Sequence, residues 1–190
     1  QPSRSVRASV RLLLETLRPN PAYVVSRTND LLAANPSGLR LIHGIADWPA
    51  RQRNTIRYTF LHPMARDLWP DWELKAKGCV AQLRAIAGSD PDAPDLAALV
   101  GKLIVKSPDF NRLWERYEVR SIGDGEKTFR HPLVGTITLT HEVLSLNRTE
   151  GQRMTVYMAQ EGSPEHDAMS LLDMSDVDFA AEQVDIDSAG

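Results

Sequence analysis

Three things are scarce in this chain of 190 residues: cysteine, long apolar runs and, towards the end, positive charge. Its one cysteine, Cys79, cannot form an internal disulfide, which excludes the disulfide-rich secreted folds. No apolar run approaches the roughly 18 residues of a membrane span, and the opening residues lack the pattern of a signal peptide. Apolar residues make up 42% of the chain, enough to build a core without a disulfide or a metal. We therefore expect a cytoplasmic globular protein with no membrane partner.

Lysine and arginine are absent from the last thirty positions, where nine residues are acidic. All 22 Lys and Arg therefore fall in the first 160 residues, beside 16 of the 25 acidic residues. We predict an acidic C-terminal tail over residues 173–190. The arginine-rich front half either binds a polyanion or is a solvated helix surface, and the pattern leaves both interpretations open.

Motifs of the common enzyme classes are also missing. There is no G-x-S-x-G elbow and no G-x-G-x-x-G turn after a strand, and Gly101-Lys102 lacks the other residues of a phosphate-binding loop. The five histidines are never four residues apart or next to the cysteine, which argues against a zinc site. Cys79 falls in an apolar stripe and is expected to be inert core. We predict no catalytic residues, no metal and no cofactor.

The first part of the chain predicts a helix followed by a hairpin. Apolar residues recur with helical spacing over residues 5–17, until two prolines end the pattern. Two short apolar runs, residues 22–25 and 31–34, flank turn-forming residues at 28–30, which is typical of a β-hairpin. A short helix is expected to begin at Asn35.

The rest of the chain changes from a helical to a strand period. Residues 52–106 predict helices, with Asp71 and Asp95 as N-caps of two of them, and a further helix follows Ser107. Apolar and polar residues then alternate in three segments, residues 127–132, 134–146 and 153–159. Two strands, a block of helices and three strands predict an α+β domain, whose antiparallel sheet is split in sequence and covered by helices on one face.

Tryptophans and arginines lie close together in the helical block. Trp69, Trp72 and Trp114 follow the segment 51–57. Within this segment, Arg53 and Arg57 are four residues apart and share a helix face. Aromatic walls with cationic forks suit an amphipathic anion, such as a carboxylate with an alkyl tail. The alternative interpretation is a pair of surface arginines beside ordinary core tryptophans.

Short motifs are spread in a definite order between Asn20 and Leu172. They are Leu31-Leu32-Ala33-Ala34-Asn35, Arg53-Asn54, Phe60, His62-Pro63, Asp71-Trp72-Glu73, Leu83-Arg84, Ser107-Pro108-Asp109-Phe110, Trp114, His131-Pro132-Leu133-Val134-Gly135 and Thr155-Val156-Tyr157-Met158-Ala159. In these motifs the chain resembles the MmyB-like transcription regulator ligand-binding domain. One departure is Ala34-Asn35, where that family often has Trp-Asn.

The resemblance implies both a fold and a function. Because the family is similar to PAS domains, residues 19–172 should form a five-stranded antiparallel sheet with a pocket under its helical cover. Residues 1–18 would be the connector helix from an Xre-type helix-turn-helix domain that this chain lacks. The domain would sense a small hydrophobic or amphipathic molecule, such as a fatty acid, and modulate DNA binding by the linked helix-turn-helix in a homodimer.

The candidate ligand-binding residues form two groups. The apolar wall would be Ile56, Phe60, Trp72, Trp114 and Leu139, and the polar end would be Arg53, Asn54 and Arg57. His131, which precedes a proline at a strand junction, is a further candidate. Arg53 and Asn54 could instead cap helices and brace the hairpin. Two other functions stay open: a dimerisation or protein-interaction module whose core is filled by its own side chains, and an enzyme with a solvent-open cleft.

Overall fold

The computed structural model describes residues 2–116 and 125–187, the last twelve of these by their backbone alone. The helices are α1 (Ala8–Thr16), α2 (Pro36–Leu41), α3 (Thr55–Leu61), α4 (Ala65–Leu68), α5 (Trp72–Ser89), α6 (Pro94–Lys106), α7 (Pro108–Glu115) and α8 (Pro164–Asp187). The strands are β1 (Ala22–Val25), β2 (Leu31–Ala34), β3 (Glu126–His131), β4 (Gly135–Ser145) and β5 (Arg153–Met158). Within these residues, no helix is both long and apolar enough to cross a membrane.

The five strands form one antiparallel sheet in the order β2-β1-β5-β4-β3. The last strand in the chain, β5, therefore lies between the N-terminal hairpin and the β3–β4 pair. Its register places Tyr23 of β1 beside Thr155, and Tyr157 beside His141 of β4. The structure confirms the predicted α+β fold with a PAS-like sheet that is split in sequence.

The two faces of the sheet are covered by different helices. Because side chains alternate along a strand, Tyr23 and Tyr157 face the large core under helices α2 to α7, while Val24 and Val156 face away from it. The second face packs against Val6 and α1 in a smaller core, which consists of Val6, Val10, Leu14, Ala22, Val24, Met154 and Val156. Helices thus cover both faces, whereas the alternation pattern had predicted only one covered face.

One buried asparagine joins three elements at the start of the domain. The Asn35 Oδ1 accepts hydrogen bonds from the backbone N–H groups of Gly38, as the N-cap of α2, and of Ala22 on β1. Its Nδ2 donates to the carbonyls of Leu14 in α1 and Asn20. The short helix expected at Asn35 is therefore confirmed, and the capping residue also fixes α1 and β1.

The predicted N-caps have different outcomes. The Asp71 carboxylate accepts from the Leu74 N–H at the start of α5, as expected. For α6 the prediction is wrong, because Pro94 occupies the first turn and no side chain caps the helix. Asp95 instead accepts two hydrogen bonds from Arg27, at 2.8 and 2.7 Å, which tie α6 to the β1–β2 turn.

Helix α8 crosses the boundary that was expected between the domain and its acidic tail. It runs from Pro164 to Asp187, so residue 172 lies inside a helix. Its Leu172 and Met169 are fully buried, and Arg40 of α2 donates to the carbonyls of Leu172 and Asp173. The first part of α8 is thus packed against α2.

The Asn35 contacts predict a large loss of stability in Asn35→Ala. The variant lacks a helix cap and leaves buried backbone groups without partners, so the free energy of unfolding should fall by about 3 kcal/mol. Asn111→Ala is the control, because its amide donates only to the exposed end of α6, at the Ile104 carbonyl. Urea unfolding followed by circular dichroism measures both, and equal midpoints would contradict the role of Asn35.

Candidate functional site

A cavity of about 770 Å³ lies between α5 and the inner face of the sheet. Its floor is formed by side chains of four strands, namely Tyr23, Val25, Lys127, His141, Val143, Arg153, Thr155 and Tyr157. Its roof is one side of α5, with Lys75, Gly78, Cys79 and Gln82. The volume is in the range of small-molecule sites in proteins.

The cavity is elongated and polar at both ends. Lys127 pairs with Leu139, and Arg153 pairs with Ser145, so the two cations lie six residues apart along β4. At about 3.3 Å per residue, this is roughly 20 Å along the sheet. The Arg153 guanidinium donates to the Asn29 amide oxygen at 2.6 Å, and burial lowers its pKa.

The other end, which we call the lysine end, consists of Lys75, Lys127, His141 and Trp69. The Lys75 ammonium lies 4.6 Å from the centre of the Trp69 ring, an attractive cation–π contact. Burial, and then the charge of Lys75, lower the pKa of Lys127. Burial also lowers the pKa of His141, and the positive charges of Lys127 and Lys75 lower it further. The lysine end is therefore a partly desolvated site with concentrated positive charge.

Two buried nitrogen atoms at the lysine end have no hydrogen-bond partner. They are Nδ1 of His141 and Nε1 of Trp69, and both residues line the cavity. A buried polar group without a partner costs about 1–3 kcal/mol. Neither atom has accessible surface, so both lie behind the surface of the cavity wall.

The middle of the cavity is inert. The hydroxyl groups of Tyr23 and Tyr157 are 3.0 Å apart and satisfy each other, and burial raises the pKa of Tyr157. Cys79 is buried as expected, and burial raises the pKa of its thiol, so it is not a reactive thiolate. Among the described residues, no group of three or more His, Cys, Asp or Glu side chains could hold a metal ion.

None of the nine candidate residues from the sequence is among the residues that line this cavity. Arg53 donates to the carbonyls of Trp48 and Ala46. Asn54 caps α3 through its Oδ1 and donates through its Nδ2 to Thr28 and Asp30, which uses its full bonding capacity. Both residues thus make the bracing contacts that were the alternative interpretation.

The other candidates are also held by protein contacts. Arg57 lies over the Trp48 ring, and Ile56 and Leu139 are fully buried. Phe60 is in edge contact with Trp72 and with Phe110, which stacks on Trp114. The aromatic residues therefore do lie together, as the sequence indicated, but in the helical core and not among the residues that line the cavity. A role in binding stays a prediction for these residues.

His131 is a fixed neutral histidine. Its Nδ1 accepts from the Leu133 N–H at 3.1 Å, so Nε2 carries the proton and donates to the Arg40 carbonyl at 2.8 Å. The ring is almost fully buried, and burial lowers its pKa. This histidine joins the end of β3 to α2.

The cavity residues that were missed do have a signal in the sequence. Lys127 is in phase with the buried Phe129 along β3, and His141 with Ile137 and Leu139 along β4. A polar residue in the apolar phase of a strand points towards the core. Such residues, and not the aromatic residues of the helices, indicate a polar cavity.

The buried state of His131 predicts that acid destabilises the fold. The unfolded histidine binds a proton near its ordinary pKa of about 6.5, whereas the folded one resists protonation. The contribution of His131 to the free energy of unfolding is therefore complete above that pH. It falls as the pH is lowered towards 5, by about 1.4 kcal/mol for each pH unit. His131→Gln should reduce this fall in urea unfolding at pH 7 and pH 5. An unchanged pH dependence in the variant would contradict the assignment.

A family model described as the MmyB-like transcription regulator ligand-binding domain matches residues 6–172. No curated protein matches the chain. The matched region begins at Val6, which packs beneath the sheet, and ends at Leu172, which is buried in α8. It includes every strand and every described residue of the cavity wall.

Proposed function

The chain belongs to the family of MmyB-like transcription regulator ligand-binding domains, and on that premise we propose that the cavity under α5 is its sensor site. The ligand would be a small hydrophobic or amphipathic molecule, fatty-acid-like in shape. Its binding would modulate DNA binding by a linked helix-turn-helix in a cytoplasmic homodimer. The role is regulatory and not catalytic.

The position of β1 and β5 carries this proposal. Tyr23 and Tyr157 line the cavity on one face of these strands, while Val24 and Val156 contact α1 on the other. A single layer of backbone thus separates a bound ligand from the helix that would lead to the DNA-binding domain. A ligand that prefers one arrangement of these strands would shift the position of α1.

The shape of the cavity supports an amphipathic ligand. Between its polar ends the wall includes the apolar side chains of Val25, Val80, Leu113 and Val143. An alkyl chain would bury its surface against them, at about 0.8 kcal/mol for each CH₂ group. A charged group at the end of the chain would meet a cation.

The proposed homodimer is supported by the free side of α1. Leu12 and Leu13 are 67% and 41% exposed, although α1 already packs Val10 and Leu14 against the sheet. An apolar strip of this kind suits a matching helix of a second copy. Helix-turn-helix regulators commonly bind two half-sites as dimers, which fits the same arrangement.

A glycine on the cavity wall provides the first test. An added Cβ at Gly78 would meet no heavy atom within 4 Å, so Gly78→Phe should fill the cavity without disturbing the fold. Gly88→Phe, on the same helix but outside the cavity, is the matched control. We expect wild type and Gly88→Phe to bind dodecanoate, with a stabilisation of about 2.7 kcal/mol at one hundred times the Kd. Gly78→Phe should lose both the binding of dodecanoate and the stabilisation.

Thermal unfolding and native mass spectrometry measure these effects. Co-purification of an amphipathic molecule with wild type, and its absence from Gly78→Phe, would support the sensor site. If no amphiphile binds to the wild-type protein, the proposed function fails and the protein-interaction module becomes the better interpretation.

A second test concerns the coupling to α1. Addition of a bound amphiphile should change hydrogen exchange of the α1 amides at least twofold, because only β1 and β5 lie between. The amides of α6, which packs against α7 and α3, serve as the internal control. Ligand binding without any change in α1 would contradict this route of regulation.

A further inference from the structure

The wall of the cavity carries an excess of positive charge. Among the described residues that line it, seven are cationic and three are acidic. The acidic ones are Asp71, Glu73 and Glu126, and the cationic ones are Lys75, Lys77, Arg84, Arg112, Arg116, Lys127 and Arg153. Glu73 is paired with Arg112 at 2.9 and 3.0 Å, and Asp71 caps α5. The remaining charge therefore favours an anion.

This excess is most concentrated at the lysine end. Lys75 comes from the roof and Lys127 from the floor, so they face each other across the cavity. Within residues 2–116 and 125–175, no carboxylate forms a salt bridge with either lysine. Glu142 and Glu126, which lines the rim of the cavity, are exposed and lie in the strand phase opposite to that of Lys127 and His141. Two like charges in a partly buried site repel each other until an anion lies between them.

Two buried ring nitrogens lie near the two ammonium groups. Trp69 is 6% exposed, and its Nε1–H has no partner. Nδ1 of His141, also unpartnered, can donate in one tautomer of the ring. The lysine end therefore offers a ligand two ammonium groups, while the two ring nitrogens lie behind its wall.

From these groups we infer that the lysine end binds a phosphate-type head group with two negative charges. A carboxylate has one charge and two oxygens, whereas a phosphate monoester has three terminal oxygens and close to two charges at neutral pH. The phosphate matches the two ammonium groups in charge. The inference rests on the proposed function, because it assigns the head group of a ligand in the same cavity.

Three probes with one alkyl tail separate the contributions. Dodecyl phosphate, dodecanoate and dodecanol differ only in the head group, and isothermal titration below their micelle concentrations gives each Kd. We expect dodecyl phosphate to bind at least tenfold more tightly than dodecanoate, and dodecanol to bind most weakly. Inorganic phosphate is a fourth probe: stabilisation by it alone would support the head-group inference and indicate a free phosphate as the ligand.

Substitution of the lysines identifies the site. Lys127→Met and Lys75→Met should each weaken dodecyl phosphate binding at least tenfold and leave dodecanol binding unchanged, since methionine keeps the apolar stem. Lys102→Met, on the exposed side of α6, is the control and should bind as wild type does.

The outcomes distinguish the two proposals. If dodecanoate binds as tightly as dodecyl phosphate, or if the lysine variants bind phosphate normally, the head-group inference is overturned while the sensor site stands. If none of the alkyl probes or inorganic phosphate binds, the sensor site fails as well. Loss of binding in Lys102→Met would also contradict the assignment to the lysine end.

Discussion

The charged side chains on the inner face of β3 and β5 limit how closely the helices can approach the sheet. Leu139 and Val143 lie on the same face of β4, four residues apart, yet the first is fully buried and the second is 47% exposed. The cover is lost along β4 towards Arg153, which pairs with Ser145, because a helix packed directly on this guanidinium would remove its water. The cavity is thus a consequence of strand sequence, and α5 spans it because its ends are held elsewhere. Arg112 of α7 holds Glu73 near one end.

The same sheet connects the cavity to α1. Strand β5 is central, and each of its side chains faces either the cavity or the smaller core beneath α1. Asn35 fixes α1, β1 and α2 to one another through four hydrogen bonds. A movement of the central strands would therefore shift these elements together, which is the property that a sensor domain needs if its output is the position of one helix.

The sequence predicts the fold better than the site, for physical reasons. The spacing of apolar residues and the positions of turn residues are signals within short segments of the chain. They are enough to place both the N-terminal hairpin and the long helix capped by Asp71. They do not show that α1 covers a second face of the sheet, because an amphipathic helix has the same pattern on either side. Of the predicted site residues, Trp72 and Trp114 make ring contacts in the helical core and do not line the cavity, and their role in binding stays a prediction. The polar residues that line the cavity lie in the apolar phase of strands, a signal that can be used only once the register is known.

The arginine-rich front half also has a different meaning in the folded chain. Arg27 bridges to Asp90 and Asp95, and Arg18 to Glu15 and Asp173 of α8. Arg53 is held by backbone carbonyls. These side chains are therefore engaged in holding loops and helices together, which favours the structural interpretation of the front half over a polyanion surface. By contrast, Lys75, Lys127 and Arg153 line the cavity and form no salt bridge with a carboxylate among the described residues, so a ligand can reach them there.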